Sequence, residues 1–278
     1  MFDTGEIIEA GFASGSGESN KNYYGEWNAT VKEMIEYFNE KNYTINNFSS
    51  SENIEKIVAK KLTGSILWMI IGLIISGITG YAIYKGIETQ NPYALMIASN
   101  FYIPIFLQII LVIIFASISK KASSGILKFV FILYSVSTGF TFTVAGLQYA
   151  PESILTAFGI AVSVFIVMAI FGLTTKKDLT KLGSILGTAL LLMVIVSVVN
   201  IFLKSSSVYM TLSLIGTVIF TLFIGYDLNK IKKEIISAIK QGDDKIADKI
   251  AIFGALTLYL DFVNLFLNLL GIAGKKKQ

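Results

Sequence analysis

The chain of 278 residues lacks three side chains on which many catalytic and binding sites depend, because it contains no cysteine, no histidine and no arginine. Without cysteine and histidine it cannot build disulfides, Cys/His zinc sites, thiol nucleophiles or Ser-His-Asp triads. Without arginine it lacks the bidentate clamps that recognise phosphate, although its 23 basic residues give a pI near 9.0. We therefore expect no nucleic-acid partner and no tightly bound cofactor.

Charge is also scarce, at 15% of residues, whereas 54% are hydrophobic. Soluble domains average about 25% charged residues, so this chain has too little charge to cover a water-facing surface. The mean hydropathy of +0.66 agrees with a surface that lipid solvates. Exclusive use of lysine together with many asparagines hints at an AT-rich bacterial genome. The composition thus predicts a membrane protein, and its lysine and asparagine usage points to a bacterial source.

Residues 1–61 differ in composition from all that follows, with Gly/Ser-rich stretches and scattered charges. The segments Val31–Asn39 and Glu52–Lys60 have the apolar spacing of short amphipathic helices. We expect a polar, partly disordered N-terminal tail that lies on the membrane surface, followed by a transmembrane domain over residues 62–278.

Seven apolar stretches follow, and each exceeds the roughly 20 residues that a helix needs to cross a bilayer. Only the last contains a charged residue, Asp261. Backbone amides have no water to bind in lipid, so such stretches must be helical. The sequence predicts an all-α membrane protein with seven spans, at 62–84, 94–118, 129–149, 153–175, 182–203, 205–226 and 250–274.

Lysine placement predicts the orientation, because cytoplasmic flanks of membrane helices carry excess basic residues. With a cytoplasmic N-terminus, 14 flanking lysines lie inside: Lys60, Lys61, Lys120, Lys121, Lys128, Lys176, Lys177, Lys181, Lys230, Lys232, Lys233, Lys240, Lys245 and Lys249. Five lie outside: Lys85, Lys204, Lys275, Lys276 and Lys277. The C-terminal triplet disagrees with simple alternation, so the last segment is either a full span, which we favour, or re-entrant.

Two acids, one directly after the sixth apolar stretch and one within the seventh, carry the functional argument. Asp227 ends the sixth span and Asp261 lies midway along the seventh. A charge at such depth costs at least about 2.5–3.5 kcal/mol on insertion scales, so each acid needs a partner, a water-filled cavity or a proton. An antiparallel hairpin folded near Asp244 would bring the two acids to the same level. The alternative is that hydroxyls, amides and backbone groups merely satisfy them.

The seventh span also carries a polar stripe at helical spacing, which we expect to face the helix bundle. Its members are Thr257, Asp261, Asn264 and Asn268, and Gly254 and Gly271 extend it with small residues. This face predicts a central position for the seventh helix. Two acids that meet there cannot both ionise at low cost, and they titrate as one unit. A shared proton would clamp the two helices, and its loss would separate them or attract a cation such as calcium.

Several segments resemble the Bax inhibitor-1 family, also called the transmembrane Bax-inhibitor-motif family. The resemblance covers roughly residues 125–274, and the most specific segment runs from Gly254 to Gly271. The matching segments read FGLTTKKDL at 171–179, VVNIFL at 198–203, GYDLNKI at 225–231 and GALTLYLDFVNLFLNLLG at 254–271.

The resemblance implies a central seventh helix wrapped by six others and a pH-sensing aspartate pair at Asp227 and Asp261 that gates a calcium leak. It places bacterial relatives in the plasma membrane, some of them tied to the regulation of membrane proteases. Some members latch the pair with an arginine, which this chain lacks. Lys128 is the nearest substitute, although we expect its side chain to extend toward the interface rather than to pair with Asp227.

The predicted function is therefore a pH-sensitive calcium leak without enzymatic activity. Asp227 and Asp261 form the proton-sharing pair and the expected calcium contact, and Tyr226, Thr257, Asn264 and Asn268 form the supporting polar face. One alternative is a non-conducting regulator of a membrane protease or death factor that binds its partner through residues 1–61. A remote alternative is an aspartyl protease similar to presenilin, although the second acid stands in Leu-Tyr-Leu-Asp rather than Gly-x-Gly-Asp.

Overall fold

The structure, a computed structural model, describes residues 18–100, 102–119, 121–177 and 179–277. Over these residues the chain forms eight helices and one isolated β-bridge, between Tyr149 and Lys276. The all-α prediction is therefore confirmed. The helices are α1 (Glu18–Glu88), α2 (Pro92–Ser99), α3 (Tyr102–Ile118), α4 (Ser124–Gln148), α5 (Pro151–Thr174), α6 (Thr180–Leu203), α7 (Ser206–Lys240) and α8 (Asp244–Ala273).

The chain divides into two compact units, residues 1–55 and residues 56–278. In the first unit, residues 18–55 are helical and belong to α1, and the side chains at 32–41 are exposed. The Tyr37 ring lies edge-on to Phe38 and 5.7 Å from the ammonium of Lys41. Residues 1–17, which hold most of the first Gly/Ser-rich stretch, lie outside the described residues. The polar-tail interpretation of residues 1–61 therefore stays a prediction.

Six helices in the described residues are long and apolar enough to cross a membrane. The first is the Glu52–Glu88 part of α1, and the others are α4, α5, α6, α7 and α8. The prediction of a multi-pass helical membrane protein is confirmed, whereas the count of seven spans is not.

The difference lies at 94–118, where the sequence predicts one span and the structure has two helices. Asn100 caps the end of α2 and donates its amide to the carbonyl of Met96, at 2.8 Å. Pro104 lies in the first turn of α3, where the absence of an amide N–H is tolerated. The helix therefore breaks inside a stretch without charge, and the second helix, at 17 residues, is shorter than the roughly 20 that a span needs.

Helix α8 is the most buried of the six candidate spans. It packs against α4, α5 and α7, and its Tyr259 reaches Ser76 of α1 while its Phe253 stacks on Phe115 of α3. These contacts with five other helices agree with the predicted central position of the last helix. Helix α6, by contrast, packs chiefly on α7 and exposes most of its surface.

The bundle of residues 56–278 has two ends that we name by their contacts. The hairpin end carries the α7–α8 turn, where Lys61 pairs with Asp248 at 2.5 Å. The tail end carries residues 274–277, which bond to the α4–α5 connection through Ala150 N to Lys275 O and Lys277 N to Gln148 O, both 2.9 Å. Helix α8 runs unbroken between these ends, as the favoured prediction of a full last span requires.

Small residues allow α1 and α4 to cross closely, and in α1 they are Ser76 and Gly80, four residues apart on one helix face. A Cβ on Gly80 would come within 2.8 Å of the carbonyl oxygen of Gly139, and Gly139 lies equally close to α1. In α6, the similarly spaced Gly183 and Gly187 differ in their surroundings. Gly183 lies under the ring of Tyr226, whereas a Cβ on Gly187 would have no atom within 4 Å. Only glycines at such crossings are required for packing.

We predict that Gly139→Leu destabilises the protein by about 1–3 kcal/mol, because the new side chain collides with Thr79 and the backbone of Gly80 on α1. Gly187→Leu is the matched control and should leave stability unchanged, since its Cβ meets no atom within 4 Å. Thermal unfolding of the detergent-solubilised protein measures both. Equal melting temperatures for the two variants would contradict the α1–α4 crossing.

Candidate functional site: an acid pair between two helices

Helices α7 and α8 form an antiparallel hairpin with a tight turn at Gln241, Gly242 and Asp243. Gly242 adopts φ +76°, a left-handed conformation that favours glycine. The Asp243 carboxylate then caps α8 by accepting the Ile246 amide at 2.8 Å. The polar run between the two acids thus ends α7 and begins α8, and the two helices pack antiparallel.

This hairpin brings Asp227 and Asp261 face to face. Both are buried, at 7% and 5% exposure, and their carboxyl groups are close neighbours across the α7–α8 interface. Asp261 Oδ2 is buried, and no group in the described part of the chain donates a hydrogen bond to it. A proton on one of the two carboxyls would turn their contact into a hydrogen bond.

Glycines make the close approach of α7 and α8 possible. A Cβ on Gly254 would meet Ile231 at 2.7 Å, and one on Gly271 would meet the Ser213 hydroxyl at the same distance. From the other side, Gly216 of α7 lies against the Asn268 amide. The small residues that extend the predicted stripe therefore sit at the interface that positions the acids.

The predicted supporting residues occupy several environments. Thr257, Asn264 and Asn268 are half-buried, and each donates to a carbonyl four residues earlier in α8. Of these, Asn268 also contacts α7 at Gly216. The ring of Tyr226 packs on Gly183 of α6 rather than on the acid pair. The stripe is thus a half-buried polar face with Asp261 as its buried member.

Just beyond Asp227, two polar side chains of α7 hold the end of α5. Asn229 donates to the carbonyl of Gly172 at 3.2 Å, and the Lys232 ammonium donates to the carbonyl of Leu173 at 2.8 Å. The last carbonyls of a helix lack intrahelical partners, and a cation there also suits the helix dipole. Gly172 and Gly225 touch through their backbones directly above this contact. The segments at 171–179 and 225–231 are therefore two halves of one junction.

A second buried polar network joins α8 to α1 and α4, and sequence reasoning missed it. The Tyr259 hydroxyl meets Ser76 Oγ at 2.5 Å, and Ser76 Oγ donates to the carbonyl of Ser135 at 2.7 Å. The fully buried Tyr259 ring packs edge-on to Phe131 and Tyr134. The available signal was a tyrosine in the middle of an apolar helix, since a buried hydroxyl needs a partner.

Lys128 does not take the role of a latch. Its ammonium lies 5.1 Å from the centre of the Trp68 ring on α1, a cation–π geometry. The salt bridge with Asp227 does not occur in the described residues. The alternative role for Lys128 is therefore wrong, because its side chain turns toward α1.

The acid pair alone is a sparse metal site. In the described residues, no three acidic side chains come together in a group that could hold a metal ion. Calcium takes six to eight oxygen ligands, so two carboxyl groups are too few to hold the ion without further ligands.

A sequence model of the family described as inhibitor of apoptosis-promoting Bax1 matches residues 59–278. The chain belongs to the Bax inhibitor-1 family. The matched range contains the acid pair, the α5–α7 junction and the Tyr259 network. The resemblance noted from the sequence is therefore confirmed.

Bacterial relatives agree with this membership. The chain is 34% identical to the inner membrane protein YbhL of Escherichia coli K12 over 212 residues, which cover 76% of this chain and 89% of that protein. It is 35% identical to a protein of Borreliella burgdorferi over 232 residues, 82% of this chain and 98% of that protein. A Rickettsia prowazekii protein, RP147, is 33% identical over 246 residues, 88% of this chain and its own full length.

We predict that Tyr259→Phe lowers the free energy of unfolding by about 1 kcal/mol, because Ser76 loses its hydroxyl partner while the ring packing stays. Tyr93→Phe, at a side chain that is 75% exposed, is the matched control. Denaturation of both variants in detergent measures the difference. If they unfold alike, the Tyr259–Ser76 contact does not hold α8 to α1.

Proposed function

We propose that this Bax inhibitor-1 family member is a pH-sensitive calcium leak in a bacterial plasma membrane, gated by Asp227 and Asp261. The observation that carries the proposal is the contact of two buried carboxyl groups from neighbouring helices, one of which has an oxygen without a donor. The proposal includes a cytoplasmic N-terminus, which the excess of lysines at the hairpin end supports.

The physical reason lies in the charge of the pair. With one shared proton, the pair carries a single negative charge and a hydrogen bond that clamps α7 to α8. Without that proton, two negative charges repel across a desolvated contact. The repulsion is relieved when the helices separate or when a cation enters between them, and both outcomes favour passage of a divalent cation.

Calcium is the ion that the chemistry favours, because carboxylates and carbonyls are hard oxygen ligands. The half-buried amides of Asn264 and Asn268 offer further oxygens along α8 toward the tail end. In this proposal the ion is cargo and not a resident cofactor, and the protein has no enzymatic role.

Flux through proteoliposomes tests the gate. In Asp227→Asn and Asp261→Asn the amide donates a hydrogen bond to the remaining carboxylate, so the pair keeps a single negative charge, and the titratable proton that the two carboxyls would share is lost. We expect both variants to lose the pH dependence of calcium flux between about pH 6 and about pH 8. Their rates should approach that of the wild type at the acid end and differ from it at the alkaline end.

Glu152→Gln provides the control for the loss of one negative charge, because Glu152 is exposed in the first turn of α5. Its flux should follow the wild type at every pH. If folded Asp227→Asn and Asp261→Asn proteins retain the wild-type rate and pH profile, the leak proposal is wrong.

A non-conducting regulator is the second candidate, and an exposed apolar surface favours it. In the unit of residues 1–55, Met34 and Phe38 expose 50% and 59% of their surface. A regulator would capture the same membrane partners in a pull-down when Asp227 is asparagine, and it would lose them when residues 1–55 are removed. If the protein is instead a leak, calcium flux should change when Asp227 is asparagine and should persist when residues 1–55 are removed. For the remote protease alternative, helical membrane substrates should show no cleavage that depends on the acid pair.

A further inference from the structure

An apolar groove runs along the lipid-facing side of the bundle, between α1 and α5. It encloses about 850 Å³, and its floor contains the buried Phe262 and Phe266 of α8. Its rim is open, because lining residues such as Ile74 and Leu155 expose 54% and 72% of their surface. The groove has the volume of a small-ligand site, and its walls suit hydrocarbon.

One end of this groove is cationic. Lys277 lines it, and its ammonium donates to the carbonyl of Gly146 at 2.6 Å and to the Tyr84 hydroxyl at 3.2 Å. An ammonium has three N–H donors, so one remains for a ligand at the mouth. Glu88, an acid that feels the charge of Lys277, already accepts a hydrogen bond from Lys85 at 2.7 Å.

The groove has the length and polarity of a single lipid. From Tyr84 to Ile66 it follows 18 residues of α1, which is about 27 Å of helix. One leaflet of a bilayer core is about 15 Å deep. An acyl chain that enters from the tail end would therefore lie wholly inside the groove and pass Gly77, with its headgroup at Lys277.

A second groove shows that this combination is specific. Helices α6 and α7 enclose an apolar space of about 550 Å³ around Leu192 and Ile215, and no charged side chain lines it. That groove offers apolar walls without a headgroup contact. Lys277 is what distinguishes the α1–α5 groove.

We propose that the α1–α5 groove binds one anionic phospholipid from the leaflet at the tail end, with an acyl chain between the helices and the phosphate on Lys277. The site is independent of the acid pair, and it does not require that the protein conducts calcium.

Photo-crosslinking tests the site. The full chain is reconstituted in phosphatidylcholine nanodiscs that contain phosphatidylglycerol with a diazirine on its acyl chain, and labelled peptides are mapped by mass spectrometry. We expect label in α1 and α5 around Gly77. Gly77→Leu should reduce it several-fold, because a Cβ there meets only open space and the longer side chain fills the groove. Gly159→Leu, an equally open glycine outside the groove lining, should not reduce it.

The headgroup contact has its own pair of variants. Lys277→Gln should reduce the preference for phosphatidylglycerol over an equally labelled phosphatidylcholine by about fivefold, as expected for one lysine near anionic lipid. Lys276→Gln makes the same charge change on an exposed neighbour and should leave the preference intact. The α6–α7 groove is an internal reference that both lipids should label alike.

Three results would overturn the proposal: labelling of the α1–α5 groove that does not discriminate between the two headgroups, equal effects of Lys276→Gln and Lys277→Gln, or labelling that Gly77→Leu leaves unchanged. Thermal unfolding verifies the fold of each variant. If Lys277→Gln loosens the tail, two comparisons remain. Gly77→Leu against Gly159→Leu decides whether a lipid occupies the groove. Labelling of the wild-type protein by the two lipids decides whether the groove prefers the anionic headgroup.

Discussion

The contact between Asp227 and Asp261 is the interaction around which the bundle is arranged. In lipid, a buried polar group has only the protein to bond with. Asn229 and Lys232 bond to the end of α5, and Tyr259 bonds to Ser76. Asp227 and Asp261 lie beside each other instead, and a carboxyl group can donate a hydrogen bond to another only when it carries a proton. The position of α8 inside the bundle makes that requirement strict, because it keeps solvent away from Asp261.

Close packing and polar bonding support one another in this protein. Glycines at 172, 225, 254 and 271 draw α5, α7 and α8 together, and the short distances make the polar contacts beside them possible. A larger residue at such a position would separate backbones and also lengthen hydrogen bonds nearby. The small residues and the polar residues of the family segments therefore serve the same junctions.

Much of the membrane architecture was predictable from the sequence, because long uncharged stretches allow little besides helices. The stripe of α8 and the meeting of α7 with α8 followed from periodicity and from the polar turn between them. The break at Asn100 was not predicted, because counting charges ignores a capping amide and a proline that stop a helix inside an apolar stretch. The position of Lys128 also escaped prediction, since a flexible side chain is placed by a neighbour on another helix, Trp68.

The Tyr259 network marks a further limit of sequence reasoning. Its partner Ser76 lies 183 residues away, and a serine in an apolar helix usually bonds to its own backbone. The spacing of Ser76 and Gly80 indicates only that α1 packs closely against something. Which helix it meets, and which hydroxyl it binds there, depends on the packing of the whole bundle.

The hydrogen bonds from Asn229 and Lys232 to α5 couple movements of α7 to the end of α5. The carbonyls that they hold belong to the last turn of α5, directly before the loop that carries Lys176 and Lys177. Because of these hydrogen bonds, a displacement of α7 near Asp227 would also displace this loop. A spectroscopic label on Lys176 or Lys177, outside the lipid, would therefore register movements of a carboxyl group that is itself inaccessible to reagents.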